Sequence, residues 1–371
     1  MRKLISVSLS IFFLFITLPF ASAENSVVRI SSTVHQNFTG EFVNDDLAQE
    51  LTPSGKLGQL VFTPFQKSKI WAIDSALIDE VIAMTGDYIL VGGATPSGKE
   101  IAISWLAQLK EITTNNDVIA LAYGNPDVAL AKRLAPSELR AYFAYGKTDL
   151  ELALGRAVRS EPNQHWNTGR AKLNGDLSRN YRDTRKDLTL LSKVVTSPDL
   201  VRLRMSLARL LSPSLNFKER TALSLNARSA VDAEVQKLRI VPGKYQLTTE
   251  MSSIPVTVIN DFPVDVTVNI SMVAGNARII VDSFTGVVLP ALSKLQLELN
   301  AFVIAPGQTQ VLAQITDALG KSVVPSTVLA LNATVIDSRV TWLATGAAIL
   351  LLLAAIAQSV RRIKRGRQSE I

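Results

Sequence analysis

The alternation of apolar and polar positions changes character three times along the chain. From residue 24 to 169, short apolar runs alternate with helical stripes. Gly58–Phe62, Lys69–Ile73, Tyr88–Val91 and Asp117–Tyr123 read as buried strands bounded by turn residues. Ser75–Met84 and Glu100–Ile112 read as helices. Leu77, Ile78, Val81 and Ile82 share one side of the first, and Ile101, Trp105, Leu106 and Leu109 stripe the second. Pro126–Leu134 reads as a third helix. Strands alternating with helices predict parallel pairing. The stretch is too short for a closed eight-stranded barrel, which needs about 250 residues. It therefore predicts a partial, degenerate barrel-like α/β layer.

From 170 to 240 the period is helical. Leu177, Tyr181, Leu188, Leu191 and Val195 form one stripe, and Leu200, Leu203, Leu207 and Leu210 a second. Ser197-Pro198 predicts a helix start, with Ser as N-cap and Pro in the first helical position. Asn216 and Glu219 predict a capping box opening a third helix that runs to Leu238. Three helices joined by short turns predict a small bundle. From 245 to 336 the period is two. Val264–Met272, Leu295–Leu299 and Leu329–Val335 alternate apolar and polar residues, separated by turn signals such as Asn260-Asp261, Pro306-Gly307 and Asp317–Gly320. About seven short strands over about 90 residues predict an immunoglobulin-like sandwich.

Both ends carry long apolar runs. Trp342–Val360 holds no charge and is followed by Arg361, Arg362, Lys364, Arg365 and Arg367. An apolar helix of about 20 residues rises about 30 Å, enough to cross a bilayer core. The basic cluster predicts a cytoplasmic C-terminus, with the large N-terminal part outside. Arg2 and Lys3, the apolar run 4–20 and Ala21-Ser22-Ala23 predict a signal peptide cleaved before Glu24, with an uncleaved signal anchor as the alternative. The predicted architecture is multi-domain α+β: a signal peptide at 1–23, a partial α/β (degenerate barrel-like) layer at 24–169, a helical bundle at 170–240, a membrane-proximal Ig-like β-sandwich at 241–337, one C-terminal transmembrane helix at 340–360 and a basic tail at 361–371.

Composition adds three constraints. There is no cysteine, so an exported chain must hold together by core burial, without disulfides. The net charge of +7 sits mostly in the two termini, leaving about +1 for the rest, so the basic balance does not imply nucleic acid. Between Ala171 and Arg239, however, fourteen Lys and Arg face seven Asp and Glu. That excess is either a solvated helical face or a surface for anionic headgroups or wall polymer.

Several stretches in order resemble an uncharacterised family of membrane-anchored actinobacterial envelope proteins, a domain of unknown function. They are Trp71–Asp79, Ala122–Asp127, Ser253–Asn260 and the ending of sandwich, apolar run and arginines. Members of that family usually carry Asp-Pro where this chain has Asp74-Ser75, and Asp-Pro-Asp where it has Asn125-Pro126-Asp127. The chain is shorter than typical members. The resemblance implies an envelope location, often near peptidoglycan-precursor export functions, and a middle part like a carbohydrate-active barrel.

Candidate chemistry is sparse. Asp74 and Asp127 each follow an expected strand, where α/β folds gather ligands. Two carboxylates there suit acid–base work on a glycoside. They equally suit capping: Asp74 caps the helix from Ser75, while Asn125 caps the next and Asp127 favours its dipole. Trp166 either stacks on a sugar ring or closes the core. His35 and His165 lack a second ligand at metal spacing, so no metal is expected. Gly93–Lys99 nearly spells a phosphate-binding loop, but Glu100 stands where Ser or Thr would hold magnesium. No cofactor, nucleotide or nucleic acid is expected. The expected partners are the cell membrane and wall polymer or envelope proteins. The function expected first is a non-catalytic envelope scaffold or binding module, and second a glycan-processing enzyme using Asp74 and Asp127.

Overall fold

Four strands pair in parallel in the order in which they occur: β1 (Ser26–Ile30), β2 (Lys69–Ile73), β3 (Asp117–Ala120) and β4 (Arg159–Ser160). The computed structural model describes residues 26–64, 69–162, 169–334 and 338–366. Between the strands run α1 (Asp46–Leu51), α2 (Lys56–Phe62), α3 (Ser75–Thr85), α4 (Lys99–Thr113), α5 (Val128–Leu134) and α6 (Pro136–Leu154). Sequential order is that of a barrel, and four strands are half the number that closes one. The strands are near-continuous apolar runs, as in any parallel sheet covered by helices. Trp71, Ile73, Val118 and Ala120 share one core with Leu47, Leu57, Ile78, Val81 and Trp105 from the helices.

Two segments read as strands are something else. Residues 58–62 belong to α2, not to a strand. The consecutive apolar Leu60, Val61 and Phe62 hid a helical pair, Leu57 and Val61, which are buried together with Gly58. Gly58 lets α2 abut the end of α1, because a Cβ there would lie 1.8 Å from the Thr52 carbonyl oxygen. Residues 88–91 form only a single bridge, Leu90 to Phe42, beside the turn of Gly92 and Gly93. The glycine loop that follows has no strand before it, and Lys99 pairs on the surface with Asp87. Helix α6 escaped the sequence reading. Its buried face includes Glu138 and Gly146, which break the apolar stripe.

The helical part holds α7 (Gly175–Leu191), α8 (Pro198–Ser206), a 3₁₀ turn (Leu207–Leu211) and α9 (Phe217–Gln236). At α9 both halves of the capping box form: the Asn216 side chain accepts from Glu219 N, and Glu219 accepts from Asn216 N, each at 2.9 Å. At α8, Ser197 makes no side-chain cap bond.

Two sheets follow. One holds β5 (Leu238–Ile240), β7 (Met251–Asn260), β9 (Ile279–Val281) and β11 (Ser293–Val303). The other holds β6 (Gly243–Leu247), β8 (Val266–Ala274), β10 (Phe284–Leu289), β12 (Gly307–Thr316) and β13 (Thr327–Ala333). Val256, Val258 and Leu299 of the first sheet join Val268, Val311 and Leu329 of the second in one core. That core also takes in Leu188, Leu207 and Val231, so the helices and the two sheets are packed as one body.

Helix α10 (Ser338–Gly366) ends the described chain. The expected transmembrane helix at 340–360 is corrected here. Among the described residues, no helix is long and apolar enough to cross a membrane. The apolar run does not end the helix: α10 starts in the polar sequence Ser338-Arg339, carries Thr345, Gln358 and Ser359, and continues through Arg361, Arg362, Lys364 and Arg365. Those four basic residues continue the helix, and Arg367 lies outside the described residues. The expected signal peptide at 1–23 also lies outside them.

Helix α6 crosses the end of β3 closely. Tyr123 N donates to the Tyr142 carbonyl at 3.0 Å, and a Cβ on Gly146 would lie 2.6 Å from the Leu121 carbonyl oxygen. A Gly→Ala change inside a helix normally gains about 1 kcal/mol, whereas overpacking against fixed backbone costs about 1 to 3 kcal/mol. Gly146→Ala is therefore expected to lower the urea midpoint. Gly175→Ala, whose Cβ would meet nothing within 4 Å, is expected to leave it level or raise it. Equal effects of the two changes would refute the close crossing.

Candidate functional site

Three groups of polar side chains collect at the carboxyl ends of the parallel strands. The first is centred on Asp74, the N-cap of α3. Its Oδ1 accepts from Ala76 N at 3.1 Å and from Gly124 N at 2.9 Å. Burial pushes its carboxyl up to about 7, against the pull of those amides. Beside it, Glu80 accepts from the backbone N of His35 and Gln36 and pairs with Arg209 Nη1 at 2.8 Å. Both side chains of that pair are buried. Desolvation raises the Glu80 pKa, and Arg209 opposes that shift. The space these groups enclose is about 10 Å³, bounded by Ser32, Thr33, Asp74, Glu80, Gly124 and Arg209 among others. That is the scale of one water molecule, far below a sugar ring.

The second group is a carboxyl pair that the sequence did not single out. Asp79 lies one turn along α3 from Ser75, and Asp149 comes from α6. Burial pushes Asp149 up to about 7, and its neighbour Asp79 pushes it the same way. Desolvation also raises Asp79, while the hydroxyl of Tyr123, donating to Asp79 Oδ2 at 2.9 Å, lowers it. Tyr145 meets the Tyr123 ring edge-on at 5.0 Å, and Arg202 of α8 adds a positive charge. The same burial thus disfavours ionisation of both carboxyls. The pair joins residues 70 positions apart, so only the i, i+4 spacing of Ser75 and Asp79 was visible in sequence.

The third group is centred on Asp127. It is itself the N-cap of α5, which begins at Val128 and not at Pro126. Asn125, expected as the cap, instead takes a positive φ of 43° in the turn before the helix. Asp127 Oδ1 accepts from Ala129 N and Leu130 N, and Oδ2 accepts from Ala171 N at 2.9 Å. Three backbone amides thus engage this carboxylate. Asp127 lines a groove of about 1020 Å³ running along α6, and Asp74 does not. The two expected carboxylates therefore face different spaces.

Among the described residues, the groove has an apolar floor of Val128, Leu139 and Phe143 and a rim of Lys132, Arg140 and Arg170. None of the three rim cations has an ion-pair partner among the described residues, while Lys147 at the same groove pairs with Glu151 at 3.2 Å. Trp166 and His165 lie outside the described residues. His35 is buried against Ser32 and Glu50. Among the described residues, no group of three or more His, Cys, Asp or Glu could hold a metal ion.

The fold and these groups define a mixed α/β protein with a half-barrel sheet and two further stacked sheets. The profile of a family of unknown function, DUF6049, matches residues 157–369, more than half of the chain, and the chain belongs to that family. No curated protein matches. Among solved structures, the chain is similar to WR4, an MSP family member of C. elegans, at 12% identity and a TM-score of 0.21 over 26% of this chain and 98% of that one. It is also similar to PapD-like domain 7 of human CEP192, at 13% and 0.22 over 27% of this chain and 87% of that one. A third is the E. coli chaperone DraB, at 13% and 0.19 over 26% of this chain and 54% of that one.

The raised carboxyls give a pH signature with a definite sign. Unfolded, Asp149 ionises near 3.8, and folded near 7. Between those values the folded state binds more protons, so its contribution to stability is full below about 4 and is lost as the pH rises to about 7. Urea midpoints of wild type and Asp149→Asn, measured from pH 4 to 8, should therefore converge or cross in favour of the variant as the pH rises. A pH-independent difference would show that Asp149 is not perturbed.

Proposed function

We propose that the chain is a non-catalytic binding module of the cell envelope that holds an anionic polymer in the groove along α6. The observation that carries this is the set of three cations, Lys132, Arg140 and Arg170, without an ion-pair partner among the described residues, around an apolar floor in a groove of about 1020 Å³. Exposed cations spaced along one groove attract a repeating anion by summed charge. The apolar floor adds contact area for the polymer backbone. The Asp127 carboxylate is taken up by three backbone amides as a helix cap and tether, which supports binding over catalysis at this groove. Asp74 faces a space too small for a substrate. Neither Asp79 nor Asp149 lines the groove. The N-terminal run Arg2–Ala23 supports export, and the family resemblance supports an actinobacterial envelope setting with wall polymer as the natural ligand.

The test is a binding titration of the full chain against wall polymer and, as a surrogate, heparin. Binding should weaken steeply with salt, because charges are screened beyond about 8 Å at physiological ionic strength. Lys132→Glu with Arg140→Glu should abolish it without lowering the melting temperature, since both side chains are exposed. Asp74→Asn should bind as wild type, because the amide oxygen can still accept from Ala76 and Gly124. Absence of binding at low salt, or full binding by the charge-reversed variant, would overturn the reading.

A further inference from the structure

The outer face of the five-stranded sheet carries an arrangement that neither charge nor burial explains. The register aligns Gln308 of β12 with Asn332 of β13, and Asn332 with Gln246 of β6. Partners in register point to the same face, so three amides stand side by side across about 10 Å, two strand spacings. The next row on that face is Gln310, Ala330 and Lys244. Ala330 sits between two long side chains, and Gly275 borders the same space, so the floor dips there. The result is a groove of about 730 Å³. Gln246, Gln308, Gln310 and Asn332 make no side-chain hydrogen bond to any described residue, while Tyr245 beneath them is fixed by its hydroxyl donating to the Pro255 carbonyl at 2.8 Å.

We infer that this groove is a second binding site, separate from the basic groove along α6, and that it takes a neutral glycan chain. An amide offers an acceptor and two donors on one flat group, which matches neighbouring hydroxyls that each donate and accept. Four such groups converge on one space, and among the described residues Lys244 is the single charge lining it. An anionic polymer would find little to neutralise there. The dip at Ala330 and Gly275 gives a ring room to approach the backbone. The next row on this face is apolar, with Leu312, Val328 and Val273, and it separates the groove from Gln314 and Ser271 beyond it. Gln246, Gln308, Gln310 and Asn332 thus form one group, set apart by that apolar row.

The experiment uses the full chain and two probes, the linear hexamers of glucose and of N-acetylglucosamine, in calorimetric or NMR titrations. At least one should bind, and the affinity should be nearly independent of salt. Replacing Gln308 and Asn332 by Ala should weaken it about tenfold or more, since each net hydrogen bond contributes about 1 kcal/mol. Both residues lie on the outward side of their strands, so the melting temperature should not move. Ala330→Trp should block the groove and abolish binding. Lys132→Glu with Arg140→Glu should leave hexamer binding intact, which separates this site from the polymer groove. No binding of either hexamer at about 10 mM, a level that would detect even millimolar affinity, would overturn the inference. So would binding that survives the Gln308 and Asn332 replacements, or binding lost with the charge reversal at α6.

Discussion

The buried ion pair between Glu80 and Arg209 is the point on which the architecture turns. Glu80 belongs to α3 of the half-barrel layer, and Arg209 to the 3₁₀ turn of the helical layer. The two carry opposite charges out of water together, with their contact at 2.8 Å. Such a pair adds little net stability over an apolar contact, but removing one member leaves a buried charge, which costs about 3 to 5 kcal/mol. The pair therefore specifies how the layers dock more than it strengthens the docking. Its surroundings are fitted to it. Gly124 has no side chain because a Cβ would lie 2.7 Å from Arg209 Cγ. The guanidinium lies 5.3 Å from the Phe38 ring centroid. The amides of His35 and Gln36 complete the shell of the carboxylate.

Helix α6 carries the second half of that docking. Glu138 at its start is buried and takes a bidentate bond from Arg204 of α8, with Arg185 of α7 at 3.6 Å. One turn on, the Tyr142 hydroxyl meets that of Tyr181 at 2.9 Å, and Gly146 then admits the end of β3. Helix α6 thus faces the strand ends on one side, the helical layer on another and the basic groove on a third. Asp127 links the same pieces through backbone bonds: its N–H donates to the Leu211 carbonyl, and its carboxylate receives the Ala171 N–H. Its place at a strand end is where the layers meet. The two grooves described above lie on different kinds of surface, one basic with an apolar floor, the other rich in amides.

Much of the local structure was determined by the sequence alone, because it depends on residues within a few positions of each other. The Asn216–Glu219 capping box, the Asp74 cap before Ser75 and the alternation behind β8 are of this kind. Tertiary structure decided the rest. Whether 58–62 is a helix or a strand turned on the contact of Gly58 with Thr52, and 88–91 lacked a neighbour for more than one bridge. The apolar run 342–360 was legible as a helix, but its extent, through the arginines to Gly366, was not, because helix propensity does not stop at a charge. The Asp79–Asp149 pair, the Glu80–Arg209 pair and the row of Gln308, Asn332 and Gln246 each join residues far apart in the chain. They exist only once strand register and helix crossings are set. Those are properties of packing, to which no local pattern of residues is sensitive.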